Sequence, residues 1–263
     1  MRVPKEHGAW AMLYVPFVAG ALAAGSRAVG QAPGLGLLLG SVTGLFLGRE
    51  SLLAWLRQRD RGQDARAEAR DTWWQMGGAI ACAAGLLGTR PPAAIVLLGL
   101  FGALILGIHV LQMRRREART VFGEFLAILG LTMTAPAAFL VGSGVGSPRA
   151  LLLWALCVLF FTSSVFHVKH RVLAAQPRRA AERRTMRWAS GAYHVLLLVA
   201  LVGLVAGRQL HVFMLFAFLP VVVRALTALF VPPGRPDLRR AGILEIVYSI
   251  LFLLFVTLAT HRI

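Results

Sequence analysis

Acidic residues are scarce in this chain: 11 Asp and Glu stand against 28 Lys and Arg over 263 residues, a formal net charge of +17. Cysteine is scarcer still, with only Cys82 and Cys157. Neither lies in a metal-binding or disulfide-framework spacing, and both fall inside apolar stretches, where they read as small buried apolar residues. Long polar segments are missing too. The longest polar gaps, about 57–72 and 171–187, hold under twenty residues each. That leaves no room for a soluble domain, and residues 1–263 read as a single transmembrane domain.

What is present is hydrophobicity. Fully 57% of the residues are apolar, and they gather into nine stretches at roughly 10–28, 35–56, 73–88, 92–113, 124–142, 150–168, 188–207, 211–230 and 241–260. About 20 apolar residues in a helix cross the hydrocarbon core of a bilayer. Backbone groups in that core must be paired within their own segment, so these stretches predict helices. The fold class is all-α: a polytopic membrane helix bundle with nine transmembrane helices.

The positive charge alternates. Twenty-one Lys and Arg lie in the N-terminal segment or in the gaps after the second, fourth, sixth and eighth stretches. Five (Arg27, Arg90, Arg149, Arg208 and Arg262) lie on the other side, and Arg49 and Arg224 fall within stretches. Such asymmetry in short loops marks the cytoplasmic side, which puts the N-terminus in the cytoplasm and the C-terminus outside. Net charge alone would point to nucleic acid, but basic residues flanking membrane helices point to anionic lipid headgroups on the cytoplasmic side, with no nucleic acid. Trp10, Trp55, Trp73, Trp74 and Trp188 fall at the expected cytoplasmic helix ends, where amphipathic rings are favoured; Trp154 alone falls at an outer end. Ala19-Gly20-Ala21 resembles a signal-peptide cleavage site, but nine spans fit the charge alternation only if the first is kept.

Pro16, Pro136 and Pro220 lie inside the first, fifth and eighth stretches and predict kinks. Gly77-Gly78, Gly85 and Gly88, at small-xxx-small spacing in the third, predict close helix packing there. The two longest basic gaps are four helices apart, which suggests two related four-helix units and a ninth helix.

Ionisable side chains at membrane depth are costly unless partnered, so each raises a functional question. Glu6 and His7 open the first stretch. Arg49 and Glu50 lie about two turns from the inner end of the second, and Glu124 lies in the first turn of the fifth. His167 and His170 close the sixth on one face. His194 is two turns into the seventh, Arg224 lies in the inner half of the eighth, and Glu245 with Tyr248 begins the ninth. All belong to the cytoplasmic leaflet or its border. His109, in the inner third of the fourth stretch, is near enough to join them; His211 and His261 lie at outer ends. The bland reading is snorkelling and structural pairing. The sharper one is a polar cavity open to the cytoplasm. In its enzymatic form, Glu6, His7, Arg49, Glu50, Glu124 and Glu245 would be catalytic, and Arg49, His167, His170, His194, Arg224 and Tyr248 would bind the ligand. The histidines with Glu6, Glu50 or Glu124 have the chemistry of metal ligands, yet no spacing enforces a metal and no cofactor is named by any motif. Asp60, Asp64 and Glu68 recur every four residues and would share one helix face, suited to Mg²⁺ and a diphosphate or to ion pairs with Arg57, Arg61 and Arg66.

The opening Pro4-Lys5-Glu6-His7-Gly8-Ala9-Trp10-Ala11-Met12-Leu13, with Pro16 and Gly20, resembles the start of the YwiC-like family of bacterial membrane proteins. Gly123-Glu124 before Ala135-Pro136 and the late Gly242-Ile243-Leu244-Glu245-Ile246-Val247 are similar to that family as well. The resemblance implies a multi-pass protein of the bacterial plasma membrane and names no reaction. More distantly, the architecture is similar to the UbiA superfamily of prenyltransferases, which implies nine helices and working loops after helices 2 and 6. That superfamily holds Mg²⁺ and a prenyl diphosphate on two aspartate-rich motifs. Here the second stretch ends Gly48-Arg49-Glu50-Ser51, only Asp60 and Asp64 approximate the first motif, and Phe166-His167-Val168-Lys169-His170-Arg171 replaces the second, with Glu182 the sole acid in that gap. An isoprenoid or anionic lipid held by arginines is the reading that survives, as a transferase or as a binding protein. A small-solute or ion transporter and a non-catalytic membrane scaffold are the alternatives.

Overall fold

The structure is a computed structural model and describes residues 7–89, 92–114, 120–174, 176, 179–230 and 238–260. Every regular element among them is helical. In chain order they are α1 (His7–Ala23), α2 (Arg27–Gly30), α3 (Ala32–Asp60), α4 (Arg66–Thr89), α5 (Pro92–Arg114), α6 (Val121–Thr132), α7 (Thr134–Ser143), α8 (Pro148–Ala174), α9 (Ala180–Ala206), α10 (Phe213–Ala228) and α11 (Leu238–Thr260).

Among the described residues, six segments are long and apolar enough to cross a membrane: Ala32–Asp60, Ala93–Gln112, Val121–Ser143, Pro148–Leu173, Ala180–Ala206 and Gly242–Thr260. Two shorter apolar helices, Gly8–Ala23 and Phe213–Ala228, accompany them. The stretch 73–88 lies in α4, whose first turns carry Arg66, Glu68, Arg70 and Asp71. The apolar remainder of α4 is only about 24 Å long at 1.5 Å per residue, short of a ~30 Å core. Exposed Leu97, Leu100 and Leu104 on α5 and Leu196 and Val199 on α9 present apolar side chains outward, and Trp73, Trp74 and Trp188 are each over 70% exposed. Water does not favour such surfaces, whereas a bilayer and its interface do.

The three prolines behave differently. Pro16 and Pro220 stay inside continuous helices. Pro136 coincides with a break, since the fifth stretch is split at Met133 into α6 and α7. Its ring would clash with the carbonyl of Thr132, four residues back, and it brings no N–H to the ladder. Threonine hydroxyls take up nearby carbonyls: Thr132 Oγ1 donates to Ile128 O at 2.7 Å and Thr134 Oγ1 to Leu13 O at 2.8 Å.

The chain forms two compact units, Met1–Leu153 and Trp154–Ile263. In the first, α3 packs antiparallel along α4. The seam is lined by Gly40, Gly44 and Gly48, one per turn of α3, and a methyl group at any of them would come within 2.9 Å of Cys82, Ala79 or Met76 respectively. Ser51 Oγ donates to Gln75 Oε1 at 2.8 Å and Gln58 Nε2 to Glu68 Oε1 at 2.8 Å, extending the same seam. The packing glycines are therefore those of α3. Gly77, Gly78 and Gly88, singled out by their spacing, have nothing within 4 Å, and Gly85 meets only Leu37 at 3.4 Å. Gly77, Gly78 and Gly88 of α4 thus face open space, while Ala79 and Cys82 of the same helix meet the α3 glycines. A second close approach joins α1 to α7, where a methyl group on Gly20 would lie 2.1 Å from the carbonyl oxygen of Ala135. Phe17, Leu38, Leu86, Ala138 and Val141 form the core beside it.

The second unit is centred on aromatic rings. Phe160 stacks on Phe252 at 4.2 Å between centroids and meets Phe161 and Phe218 edge-on. Helix α9 ends in a left-handed turn at Arg208, φ 58°. Gln209 N bonds Leu204 O and Arg208 N bonds Val205 O, the Schellman pattern. Glycine is the residue that takes this conformation without strain, so Arg208→Gly is expected to stabilise the protein by about 1 kcal/mol. A thermal midpoint at or below that of the parent would contradict this.

Candidate functional site

The polar residues at membrane depth meet in two groups, one in each unit. In the second unit four helices contribute. Glu245, in the first half of α11, accepts hydrogen bonds on both carboxylate oxygens: from Arg224 Nη1 of α10 at 2.6 Å and from Ser164 Oγ of α8 at 2.6 Å. Arg224 and Glu245 are each 12% exposed through their side chains. The Arg224 guanidinium also lies over the ring of Tyr248, 4.7 Å from its centroid, a geometry that stabilises a cation. Tyr248 is one turn beyond Glu245, so carboxylate and ring share one face of α11.

Ser163, next to Ser164, turns to α9. Its hydroxyl is 2.8 Å from His194 Nε2, and His194 Nδ1 is 2.6 Å from the carbonyl oxygen of Ser190. A carbonyl only accepts, so Nδ1 carries the proton and Nε2 accepts from Ser163. Both side chains are fully buried. His170 Nε2 donates to Ala228 O at 3.3 Å, tying the last turns of α8 to the end of α10. His167 lies within electrostatic reach of Arg224 and His194.

One side chain in this group is half used. Arg224 engages Glu245 through Nη1, while its Nε and Nη2 are buried without a hydrogen-bond partner; His167 Nδ1 and Ser249 Oγ are in the same condition. A buried N–H without an acceptor costs about 1–3 kcal/mol, more when charged. An arginine arranged this way has two parallel donors left for a carboxylate or a phosphate.

In the first unit Arg49 and Glu50, adjacent on α3, form an ion pair through Nη2 and Oε1, with side chains 14% and 26% exposed. Arg49 also lies over the Phe46 ring at 5.3 Å. His109 of α5, 7% exposed, is within electrostatic reach of both. Glu124 occupies the first turn of α6, behind the Thr120 cap, where the helix dipole favours a carboxylate. His7 begins α1, and its side chain, like all of Glu6, lies outside the described residues.

The acids after α3 do not share a helix. Asp60 ends α3, the chain turns at Arg61–Ala65, and Glu68 belongs to α4. Asp64 Oδ1 accepts from the backbone N–H of Arg66 at 3.1 Å, and Glu68 accepts from Gln58. The expected single acidic face is thus split by the turn at Gly62, φ 65°. Among the described residues no three of His, Cys, Asp or Glu gather as a metal site.

Sequence reading passes over Ser163 and Ser164, which link α8 to α9 and α11. Their one signal is a pair of hydroxyls in an apolar run just ahead of His167. Neutral hydroxyls usually satisfy themselves on their own helix, so the pair does not stand out.

Helices that expose apolar sides and bury arginine, glutamate and histidine are those of a multi-pass membrane protein. The family model described as YwiC-like protein matches residues 3–139. The chain belongs to the YwiC-like family. It is 27% identical over 261 residues to the Uncharacterized protein YwiC of Bacillus subtilis (strain 168), covering 97% of this chain and 98% of that one. No solved structure gives a significant match.

Proposed function

We propose that the protein is a nine-helix, UbiA-like bundle of the bacterial plasma membrane, N-terminus in the cytoplasm, that binds the phosphate of an isoprenoid or anionic lipid through Arg224. The observation that carries this reading is the half-used guanidinium. Glu245 and Tyr248 hold Arg224 in place, and its buried Nε and Nη2 have no protein acceptor. Arginine recognises phosphate bidentately, and a pre-oriented side chain loses little entropy on binding. Ser164 supports the site through Glu245. The alternation of basic gaps supports the cytoplasmic assignment, because anionic headgroups gather there at about 1 kcal/mol per nearby Lys or Arg. Arg49, Glu50 and His109 would form the corresponding group of the first unit.

The test is lipid retention. Full-length protein is purified in mild detergent and offered farnesyl phosphate, phosphatidylglycerol or phosphatidylcholine, with bound lipid counted by native mass spectrometry. The parent is expected to hold a phosphate monoester or anionic lipid at least tenfold over phosphatidylcholine. Arg224→Lys keeps the charge and loses the fork; it should fold and lose most of that selectivity. A parent protein without selectivity, or an Arg224→Lys variant that retains it in full, overturns the reading.

A further inference from the structure

The Arg224 group holds more spare polar atoms than those of Arg224 itself. Ser164, His167 and His170 follow one another at three-residue intervals on α8 and share one face. The first and last of them are tied to the surroundings of Arg224. Ser164 Oγ donates to Glu245 Oε2 at 2.6 Å, and His170 donates to the carbonyl of Ala228, one turn past Arg224 on α10, at 3.3 Å. His167 lies between these two contacts, and its Nδ1 is buried without a hydrogen-bond partner. On α11, Ser249 stands one turn beyond Glu245; it is 1% exposed and its Oγ is also unpartnered. With Nε and Nη2 of Arg224, the spare groups come from three helices of the second unit.

Two properties of this set decide which phosphate it suits. The first is direction. Nε and Nη2 lie on one edge of the guanidinium and take two oxygens of a phosphoryl group in parallel. A neutral imidazole carries one N–H, which can sit on Nδ1, so His167 offers a donor from another helix. A phosphodiester has only two terminal oxygens, and its second ester oxygen carries a carbon where a third donor would meet it. A phosphomonoester has three terminal oxygens: two for the fork and one for His167. The second property is charge. Arg224 and Arg171 both lie within electrostatic reach of His167, and the one carboxylate of the group, Glu245, is engaged on both oxygens. Two guanidinium groups against one carboxylate leave the group net positive. A monoester brings about −1.5 to −2 charges near neutral pH, more than the single charge of a diester.

We infer that the Arg224 site is specific for a phosphate monoester, with His167 Nδ1 donating to the third terminal oxygen and the Ser249 hydroxyl supporting it from α11. This rests on the reading of Arg224 as a phosphate site and deepens it: Arg224 decides that an anion binds, and His167 decides which phosphate.

Phosphatidic acid, phosphatidylglycerol and phosphatidylcholine with identical dioleoyl chains separate the two claims, because the first is a monoester and the others are diesters. Full-length protein in mild detergent is offered an equimolar mixture, and retained lipid is counted by native mass spectrometry. The parent is expected to retain phosphatidic acid about tenfold over phosphatidylglycerol, the effect of one hydrogen bond to a charged group. His167→Phe keeps a ring and removes the donor, so the ratio should fall to near one while phosphatidylglycerol stays preferred over phosphatidylcholine. His167→Asn returns an N–H at the position of Nδ1 and should restore most of the ratio. A merely structural role for His167 would move all three lipids together. Glycerol 3-phosphate in large excess carries the same monoester without acyl chains. If phosphatidic acid stays bound, the ligand is a lipid; if it is displaced, the monoester is a soluble one. A parent that retains both anionic lipids equally over phosphatidylcholine overturns the inference and leaves the Arg224 reading standing, whereas a parent that retains neither overturns both. A His167→Phe variant with the parent's ratio also overturns the inference.

Discussion

Gly20→Leu is expected to abolish the folded protein, and Gly20→Ala to destabilise it strongly. At this crossing of α1 and α7 a single methyl group would sit 2.1 Å from the carbonyl oxygen of Ala135, 2.9 Å from its carbon and 3.1 Å from its Cα. All three are backbone atoms, so no rotamer change relieves the clash; the helices must separate. Separation would also loosen Thr134 from Leu13 O and open the core at Phe17, Ala138 and Val141. Overpacking a well-filled site costs about 1–3 kcal/mol and sometimes more, while alanine's helix propensity returns at most about 1 kcal/mol. The net change is unfavourable. Gly77→Ala is the matched control: it gains the same propensity and meets nothing within 4 Å, so it should raise stability slightly. Thermal midpoints by fluorescence-detected size exclusion decide the matter. If Gly20→Ala is as stable as Gly77→Ala, α1 and α7 do not approach as described.

The second large effect concerns Arg224 and Glu245. Removing one partner leaves an uncompensated charge among helices, and breaking a buried pair in this way costs about 3–5 kcal/mol. Glu245→Gln keeps the shape and the acceptor for Ser164 but leaves the Arg224 charge alone against the Tyr248 face. Arg224→Met leaves a carboxylate held only by Ser164. Replacing both residues together, as Arg224→Met with Glu245→Gln, removes the charge problem and should cost less than the worse single change. A double-mutant cycle measures this coupling. Additive effects would mean that the pair is not energetically joined. Lipid retention separates stability from binding: the double variant should recover the fold and still fail to hold the phosphate-bearing lipid.

Much of the helical architecture is legible in the chain itself. Apolar stretches of the right length predict helices because a bilayer leaves the backbone no other partner, and ten of the eleven described helices coincide with them; the short α2 straddles the end of the first stretch. The depth of Arg49, Glu50, Arg224 and Glu245 is readable in the same way, since a charge inside an apolar run is conspicuous. Other features are not readable. The break at Met133 and the continuity through Pro16 and Pro220 arise from the same residue type in different surroundings. The acids Asp60, Asp64 and Glu68 have helical spacing, but the turn at Gly62 separates them.

The boundary between the two kinds of knowledge follows from what is local. Composition, the run length of apolar residues and the sign of the charge in each gap are one-dimensional properties, and by themselves they determined a helical membrane protein with its ionisable residues gathered near one end of its helices. Which face of a helix meets which neighbour depends on rotation about the helix axis, and only the tertiary structure decided that. It turned Gly40, Gly44 and Gly48 into the α3–α4 seam while leaving Gly77 and Gly78 on the outside. It also joined Ser164 to Glu245, 81 residues apart, and so assembled from three helices the setting in which Arg224 keeps two donors in reserve.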